Sequence, residues 1–442
     1  MKEKLKKTLL LLGIIYFFLG CSNQIKVNAI DDVALGEYFK FKTINNGVRI
    51  GTHILRMQDE ELIIAGKDFK DSHASRGRLN FGNSVLVKLD ARGEIIWKKE
   101  YDFLKYATIK DMVKAPNQDI VVVNPFGYNY SDYRLGKNKK ASYLTRLNQS
   151  GDIVFQKTIS SNRLYKLIAR TNGDLITLGI DYLNPDKFHI TCFEANGKVK
   201  WTKINDDRIN WVDEMFIKGN ILYINARYTV QDFSEKANPE VKRKIITFDL
   251  ESKTYTANTE PISINNIYSA KENISVEFIK ASKNTNDWIL GVENIESKKI
   301  THITIGNIPN LIPRIQLSPS SICTSLNYSH NRINQITSNA KGELFITTIV
   351  LEDTDRENQG SPSIQAYCHK NVAGFIIIKL DEQQQLKWIK YSKEKAIPLN
   401  ISTLAENQIG IIGTTYLKED KETNTDNEQL FYLVIDNNDA IK

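Results

Sequence analysis

Cysteine is scarce in this sequence, at four in 442 residues. Cys21 closes an apolar leader, which leaves Cys192, Cys323 and Cys368 for the rest of the chain. Cys192 sits inside the strand-like phrase HITCFEANG and reads as a small buried hydrophobe. Cys323 and Cys368 form a candidate disulfide if the compartment is oxidising. Cys368-His369 has no second ligand pair at finger spacing, so no metal is expected. A strong charge of one sign is also missing. The formal charge is +7, and removing Lys2, Glu3, Lys4, Lys6 and Lys7 with the leader brings it to about +4. That is not a nucleic-acid binder's balance. The long apolar run, residues 8–20, is too short to span a bilayer. Catalytic signatures are absent: there is no G-x-S-x-G, no H-E-x-x-H, no P-loop and no G-x-G-x-x-G after a strand. The histidines, His53, His73, His189, His302, His330 and His369, are scattered. A site assembled from dispersed loop residues is not excluded by these absences.

What is present is a phrase that returns about every 55 residues, the mark of a propeller or solenoid. Its cleanest copy is VLVKLD-ARGE-IIW, residues 85–97: an apolar strand ending in Leu-Asp, a tight Gly turn, and a strand carrying an aromatic. Leu89, Asp90, Gly93 and Trp97 set the frame. Leu147, Asn148, Gly151 and Phe155 repeat it, as do Phe193, Glu194, Gly197 and Trp201. Leu380, Asp381, Gln384 and Trp388 repeat it with Gln in the Gly slot, and weaker copies sit at Phe248-Asp249 and Ile435-Asp436. Before each copy comes a polar turn and a second β-rich run: LIIAG (62–66), IVVVN (120–124), LITLG (175–179), ILYIN (221–225), WILGV (288–292), LFITT (344–348) and IGIIG (409–413). Val- and Ile-rich runs bounded by Asn, Gly and Asp turns read as strands.

These units predict an all-β fold: a seven-bladed β-propeller of four-stranded antiparallel blades. In the fifth unit, WILGV after the Asn284-Thr285-Asn286 turn is expected as the second strand. No Gly-x-x-x-Trp follows Ile303 to Ile305, so that copy is degenerate and leaves six or eight blades open. The seventh phrase, LVIDNNDAIK, stops before its aromatic strand, and the unplaced run EYFKFKTI near the start is expected to complete that blade. Closure of this kind removes open sheet edges. The expected organisation is a leader at 1–20, a tether at 21–36 and one propeller domain at 37–442.

The leader has a basic start, MKEKLKK, and ends in Phe18-Leu19-Gly20-Cys21. It resembles a bacterial lipobox. The resemblance implies cleavage before Cys21 and acylation of that cysteine, with several acyl chains giving a stable anchor. Ser22 follows the cysteine where Asp would imply inner-membrane retention, so the outer membrane is expected. No acid follows until Asp31, which favours the periplasmic leaflet over the cell surface.

In a four-stranded blade the turns after the first and third strands share one face. Here those turns are tight, and the connections between second and third strands are mostly long: 67–83, 126–141, 230–242, 350–373 and 417–429. Variable loops on a rigid scaffold are where binding concentrates. In PFGYNYSDYRLGKNKKA (125–141), Phe126, Tyr128, Tyr130 and Tyr133 interleave with Arg134, Lys137, Lys139 and Lys140. Exposed aromatics beside cations suit a protein hot spot, a sugar or an anionic headgroup. Alternatively, the tyrosines pack on the blade and the lysines are solvated. The neighbouring loop 67–83 adds His73, Arg76 and Arg78. Asp353, Asp355 and Glu357 alternate as in a calcium loop, but Asn358 stands at the expected Gly, so a solvated acidic loop is the better reading.

The Leu-Asp-x-x-Gly-x-x-x-Trp repeats resemble the tryptophan-docking repeats of quinoprotein-type propellers and the related repeats of extracellular bacterial proteins. Quinoprotein repeats carry one more residue between Asp and Gly, with Thr before the Gly. Arg92 stands there in this chain, so no quinone or other cofactor is implied. In architecture the chain is similar to the propeller lipoprotein of the outer-membrane β-barrel assembly machine, a non-catalytic scaffold. The expected function is a lipid-anchored, non-enzymatic propeller that serves an envelope protein complex. The alternative is a glycan or peptidoglycan binder, or a polysaccharide-active enzyme with an axial site.

Overall fold

A computed structural model describes residues 36–38, 42–44, 48–68, 83–101, 109–125, 141–160, 162–181, 184, 186–230, 240–261, 267–271, 274–280, 287–294, 297, 299–307, 335–351, 372–392, 396–405, 407–416, 428–436 and 438–441. The chain enters through β1 (Gly36–Tyr38) and β2 (Lys42–Ile44). Blade one is β3 (Val48–Arg56), β4 (Leu62–Asp68), β5 (Asn83–Leu89) and β6 (Ile95–Glu100). Blade two is β7 (Asp111–Lys114), β8 (Ile120–Pro125), β9 (Ala141–Leu147) and β10 (Ile153–Ser160). Blade three is β11 (Asn162–Ala169), β12 (Leu175–Asp181), β13 (Lys187–Phe193) and β14 (Val199–Asp206). Blade four is β15 (Trp211–Lys218), β16 (Ile221–Val230), β17 (Glu240–Asp249) and β18 (Tyr255–Pro261). Blade five is β19 (Ile267–Lys271), β20 (Ile274–Lys280), β21 (Asp287–Asn294) and β22 (Ile300–Asn307). Then come β23 (Gln335–Ser338), β24 (Leu344–Leu351), β25 (Val372–Leu380) and β26 (Leu386–Ser392). Last are β27 (Ala396–Ala405), β28 (Gln408–Tyr416) and β29 (Glu428–Ile435).

The fold is an all-β propeller, and it corrects the expectation of seven four-stranded antiparallel blades. Six sheets have that form: blades one to five, and a closing blade of β2, β29, β28 and β27. The remaining sheet has five strands, because β1 adds in parallel to the outer edge of β26. The run EYFKFKTI is therefore not one closing strand. Its beginning lies on β26, and only Lys42–Ile44 pairs with β29, antiparallel, with Ile44 opposite Leu430. The fifth unit is also reassigned. WILGV lies in β21, the third strand of blade five, and ISVEFIK in β20 supplies the second. Asn284-Thr285-Asn286 thus falls between the second and third strands.

The first strands of successive sheets, β3, β7, β11, β15, β19, β23 and β27, touch in that order, and β27 touches β3. They form the innermost wall of a closed ring. At the seam Ile44, Leu430 and Tyr432 pack with Ile54, Leu62 and Leu89. Lys42 Nζ donates to the Arg92 carbonyl at 3.1 Å, and Arg56 donates to the Gln408 side chain. Strands buried on both faces read as near-continuous apolar runs. That is why LIIA, IVVV and ITLG are fully buried: their side chains fill the clusters between neighbouring blades.

The repeated phrase builds the turn face. Asp90 Oδ1 accepts the Arg92 and Glu94 amides at 2.9 and 2.8 Å, so the acid of Leu-Asp caps its own turn. Asn148 and Asp381 accept the Asp152 and Gln385 amides at 2.8 and 2.7 Å in the same way. Gly93 sits at φ +88°, the left-handed region where a Cβ is costly. The aromatic then reaches the next blade's turn: Trp97 Nε1 donates to the Gln149 carbonyl at 3.3 Å, and Phe155 lies under Gly197. A second recurrent device escapes the phrase. A basic residue just before Leu-Asp pairs with the acid just before the second strand: Lys88 with Glu61 at 2.7 Å, Arg146 with Asp119 at 2.7 Å, Lys379 with Glu343 at 2.9 Å.

Candidate functional site

The inner wall carries chemistry that the repeated phrase does not encode. Strand β3 slips register between Gly51 and His53, β11 between Leu164 and Lys166, β15 between Val212 and Glu214, and β27 between Pro398 and Asn400. Each slip is a β-bulge, which re-aims the residue that follows it. At these four slips that residue is polar: His53, Lys166, Glu214 and Asn400; β3 and β27 slip a second time, before Ile50 and Ala405. Asp111 in β7 holds the same register against its second strand as His53 and Lys166 do. Their partners are Val123, Ala65 and Leu178. So blades one to four bring His53, Asp111, Lys166 and Glu214 to neighbouring inner strands, with Lys110 beside Asp111.

Hydrogen bonds tie part of this set to the ring. The Leu167 amide, on the next blade's inner strand, donates to Asp111 Oδ2 at 2.8 Å, and the Met112 amide to Oδ1 at 3.1 Å. His53 is 6% exposed and hydrogen-bonds the Lys110 backbone. His53 and Asp111 are therefore latches between inner strands. Burial, and then the Lys166 charge, push the His53 imidazole down to about 3, against a hydrogen bond at Lys110 that works the other way. Burial pushes the Asp111 carboxyl up. Lys166 and the Leu167 amide oppose that shift, and Glu214 adds to it. The result is a neutral imidazole and a carboxyl reluctant to ionise, with ammonium groups beside them, a set that can hold a polar ligand or pass a proton.

These shifts have opposite signs in stability. An unfolded His titrates near 6.5, so between that pH and about 3 the unfolded chain binds a proton that native His53 refuses. Stability conferred by neutral His53 is complete above 6.5 and falls with acid, with a limiting slope of about 1.4 kcal/mol per pH unit. The raised Asp111 runs the other way, losing stability as pH rises through its folded pKa. His53→Gln is expected to flatten the loss of stability between pH 6 and pH 4, read from urea midpoints. An unchanged acid limb would show that His53 protonates freely in the native ring.

Two further titratable groups lie away from the inner wall. His189 Nε2 lies 3.5 Å from Asp181 Oδ2 at the ends of β13 and β12, with burial holding the imidazole below its usual range despite the acid. Cys192 is buried as expected, and burial pushes its thiol up. Among the described residues, no group of three or more His, Cys, Asp or Glu is placed to hold a metal. Cys21, Arg76, Arg78, Phe126, Tyr128, Tyr130, Tyr133, Arg134, Lys137, Cys323 and Cys368 all lie outside the described residues. The axial set had one sequence signal. LIIAG, LITLG and IGIIG end in glycine, and Gly66, Gly179 and Gly413 lie opposite the bulges of β3, β11 and β27.

No protein-family model matches the chain, and no curated protein matches it. Among solved structures, it is similar to the β-propeller domain of the Trilobed protease from Pyrococcus furiosus, at 9% identity and TM-score 0.47, covering 89% of this chain and 97% of that one. The Pan2 WD40 domain of Neurospora crassa is similar at 8% identity and TM-score 0.45, covering 87% and 89%. The apocarotenoid oxygenase of Synechocystis is similar at 14% identity and TM-score 0.37, covering 61% and 64%. A protease's domain, a WD40 domain and an oxygenase do not point to one activity, and likeness this distant carries none over.

Proposed function

We propose that this chain is a lipid-anchored propeller of the bacterial outer membrane, held on the periplasmic side, that captures a partner protein on its loop face and is not an enzyme. The observation that carries the reading is an asymmetry of connections. Segments 69–82, 126–140, 231–239, 352–371 and 417–427 each join a second to a third strand. The opposite face is built from short turns whose backbone groups are satisfied by Asp90, Asn148, Asp381 and their like. A scaffold that spends its irregular sequence on one face presents a binding surface there. The aromatic and basic residues of 126–141, with Arg76 and Arg78, are the anchors this reading bets on. The lipobox-like Phe18-Leu19-Gly20-Cys21 supports the anchor.

Crosslinking in intact cells, followed by purification through the lipid-anchored form, is expected to yield a stoichiometric envelope protein. Tyr128→Ala/Tyr130→Ala/Tyr133→Ala is expected to abolish that capture with the unfolding midpoint unchanged. Capture that survives would remove this loop from the reading. A second reading, a glycan binder or an enzyme with an axial site, is favoured by the convergence of His53, Asp111, Lys166 and Glu214. Glycan retained on the purified chain, and released by Lys166→Met, would favour it over the scaffold.

A further inference from the structure

We propose that the turn-side rim of blades one to three lies against an anionic lipid surface. The bilayer as occupant rests on the envelope reading above. Large apolar side chains normally leave the surface of a propeller for the spaces between blades. Here Ile95 and Ile96 open β6, Ile153 and Val154 open β10, and Val199 opens β14, each between 38% and 55% exposed. All five stand at the same place, directly after the tight turn, on the outermost strands of three consecutive blades. These ends are neighbours: Trp97 reaches the blade-two turn at Gln149, and Phe155 the blade-three turn at Gly197. These five apolar side chains therefore form a row along one rim.

The charge on the same strands complements an anionic layer. They carry Lys98, Lys99, Lys157, Lys200 and Lys203 against Glu100 and Asp206. Lys99 is engaged by Asp152 and Lys200 by Asp174. Lys157 and Lys203, with Lys198 in the adjoining turn, make no ion pair among the described residues. Lysine on an outer strand also deters strand addition, but exposed isoleucine beside it does the reverse. Apolar tips set among lysines are the pattern of a surface that rests in a headgroup layer. Blade four marks the limit of the patch: its outermost strand, YTANTEP, has no lysine, isoleucine or leucine.

The entry of the chain agrees. β26 runs away from its tight turn, and β1 lies parallel to it, with Gly36 beside Lys390 and Tyr38 beside Tyr391. The N-terminal end of β1 thus points to the turn side, where the rim lies. An anchor at Cys21 would hold this side to the membrane and leave the loop face outward.

The test uses the full chain with Cys21→Ser, so that no acyl chain contributes. Sedimentation with vesicles of phosphatidylcholine, with or without phosphatidylglycerol, is expected to show binding that needs phosphatidylglycerol and weakens with salt. Ile95→Ser/Ile96→Ser/Ile153→Ser/Val154→Ser should remove it. Lys157→Gln/Lys198→Gln/Lys203→Gln, which touches only exposed side chains, should weaken partitioning roughly fivefold per lysine. Equal pelleting on both vesicle types, or full binding by the lysine variant, would overturn the proposal. Palmitate labelling of the native chain tests the anchor separately: no label together with vesicle binding by the Cys21→Ser chain would sink the anchor and leave the rim standing.

Discussion

Replacing Arg146 with methionine is expected to cost the fold about 3–5 kcal/mol, the usual result of stranding one half of a buried ion pair. Arg146 Nε meets Asp119 Oδ2 at 2.7 Å, with the two side chains 10% and 12% exposed. Its other arm donates to the Ala195 carbonyl in the turn of blade three. Methionine fills much of the same space but leaves Asp119 buried without its cation and the carbonyl without its donor. Asp119→Leu added to Arg146→Met is expected to recover a large part of the loss, because no charge is then left behind. Lys99→Met gives the contrast. That lysine meets Asp152 at the same 2.7 Å, but with 33% and 64% exposure, and is expected to cost no more than about 1 kcal/mol. Urea midpoints of the three variants decide the matter. A small effect for Arg146→Met would mean that water reaches Asp119.

The same pair recurs as Lys88 with Glu61 and as Lys379 with Glu343, and there Asp439 of the last turn joins at 2.7 Å. Burial works against the Lys379 ammonium, but the hydrogen bonds it donates to Asp439 and Glu343 outweigh it and raise its pKa. In two of the three copies the cation reaches the next blade's turn, so the pair sets the angle between blades as well as holding one. Breaking it should loosen the ring at that seam.

Much of this was legible before the structure. Leu-Asp, the tight turn and the aromatic each do a local job, so they recur at fixed spacing and announce a propeller. What failed was the counting of strands where local signals compete. Asn284-Thr285-Asn286 followed by WILGV mimics the turn and second strand of the other units. ISVEFIK, with Glu277 inside it, looks less like a strand than its neighbours, yet it pairs along its length with β21. The entering chain misled in another way. Hydrophobic pattern assigns EYFKFKTI to a strand, but pairing splits it between two sheets. The pattern does not encode which edge a strand meets. Asp111 apart, the axial set was hidden because a bulge breaks the alternation on which sequence reading depends. Its trace was the glycine ending three of the apolar runs.

That trace leads to the second large effect. Gly413→Ala is expected to destabilise the closing blade by about 1–3 kcal/mol or more, as overpacking does where the obstacle cannot turn aside. A Cβ at Gly413 would stand 2.0 Å from the Ile397 carbonyl oxygen and 2.7 Å from the Phe431 ring. The oxygen is backbone, in the strand that bulges between Pro398 and Asn400, so relief requires the bulge itself to move. Gly410, in the same strand, meets the Leu404 side chain first, at 2.8 Å, and a leucine can change rotamer. Gly410→Ala should therefore cost less, and the difference in urea midpoint isolates the backbone part. Moving the bulge would also turn Asn400 from its place on the inner wall. If Gly413→Ala matches Gly410→Ala, the glycine does not hold the bulge, and Gly66 and Gly179 lose the same explanation. If it is the costlier by the margin expected, the glycine that ends each of these runs is fixed by the polar residue it lets the facing strand present.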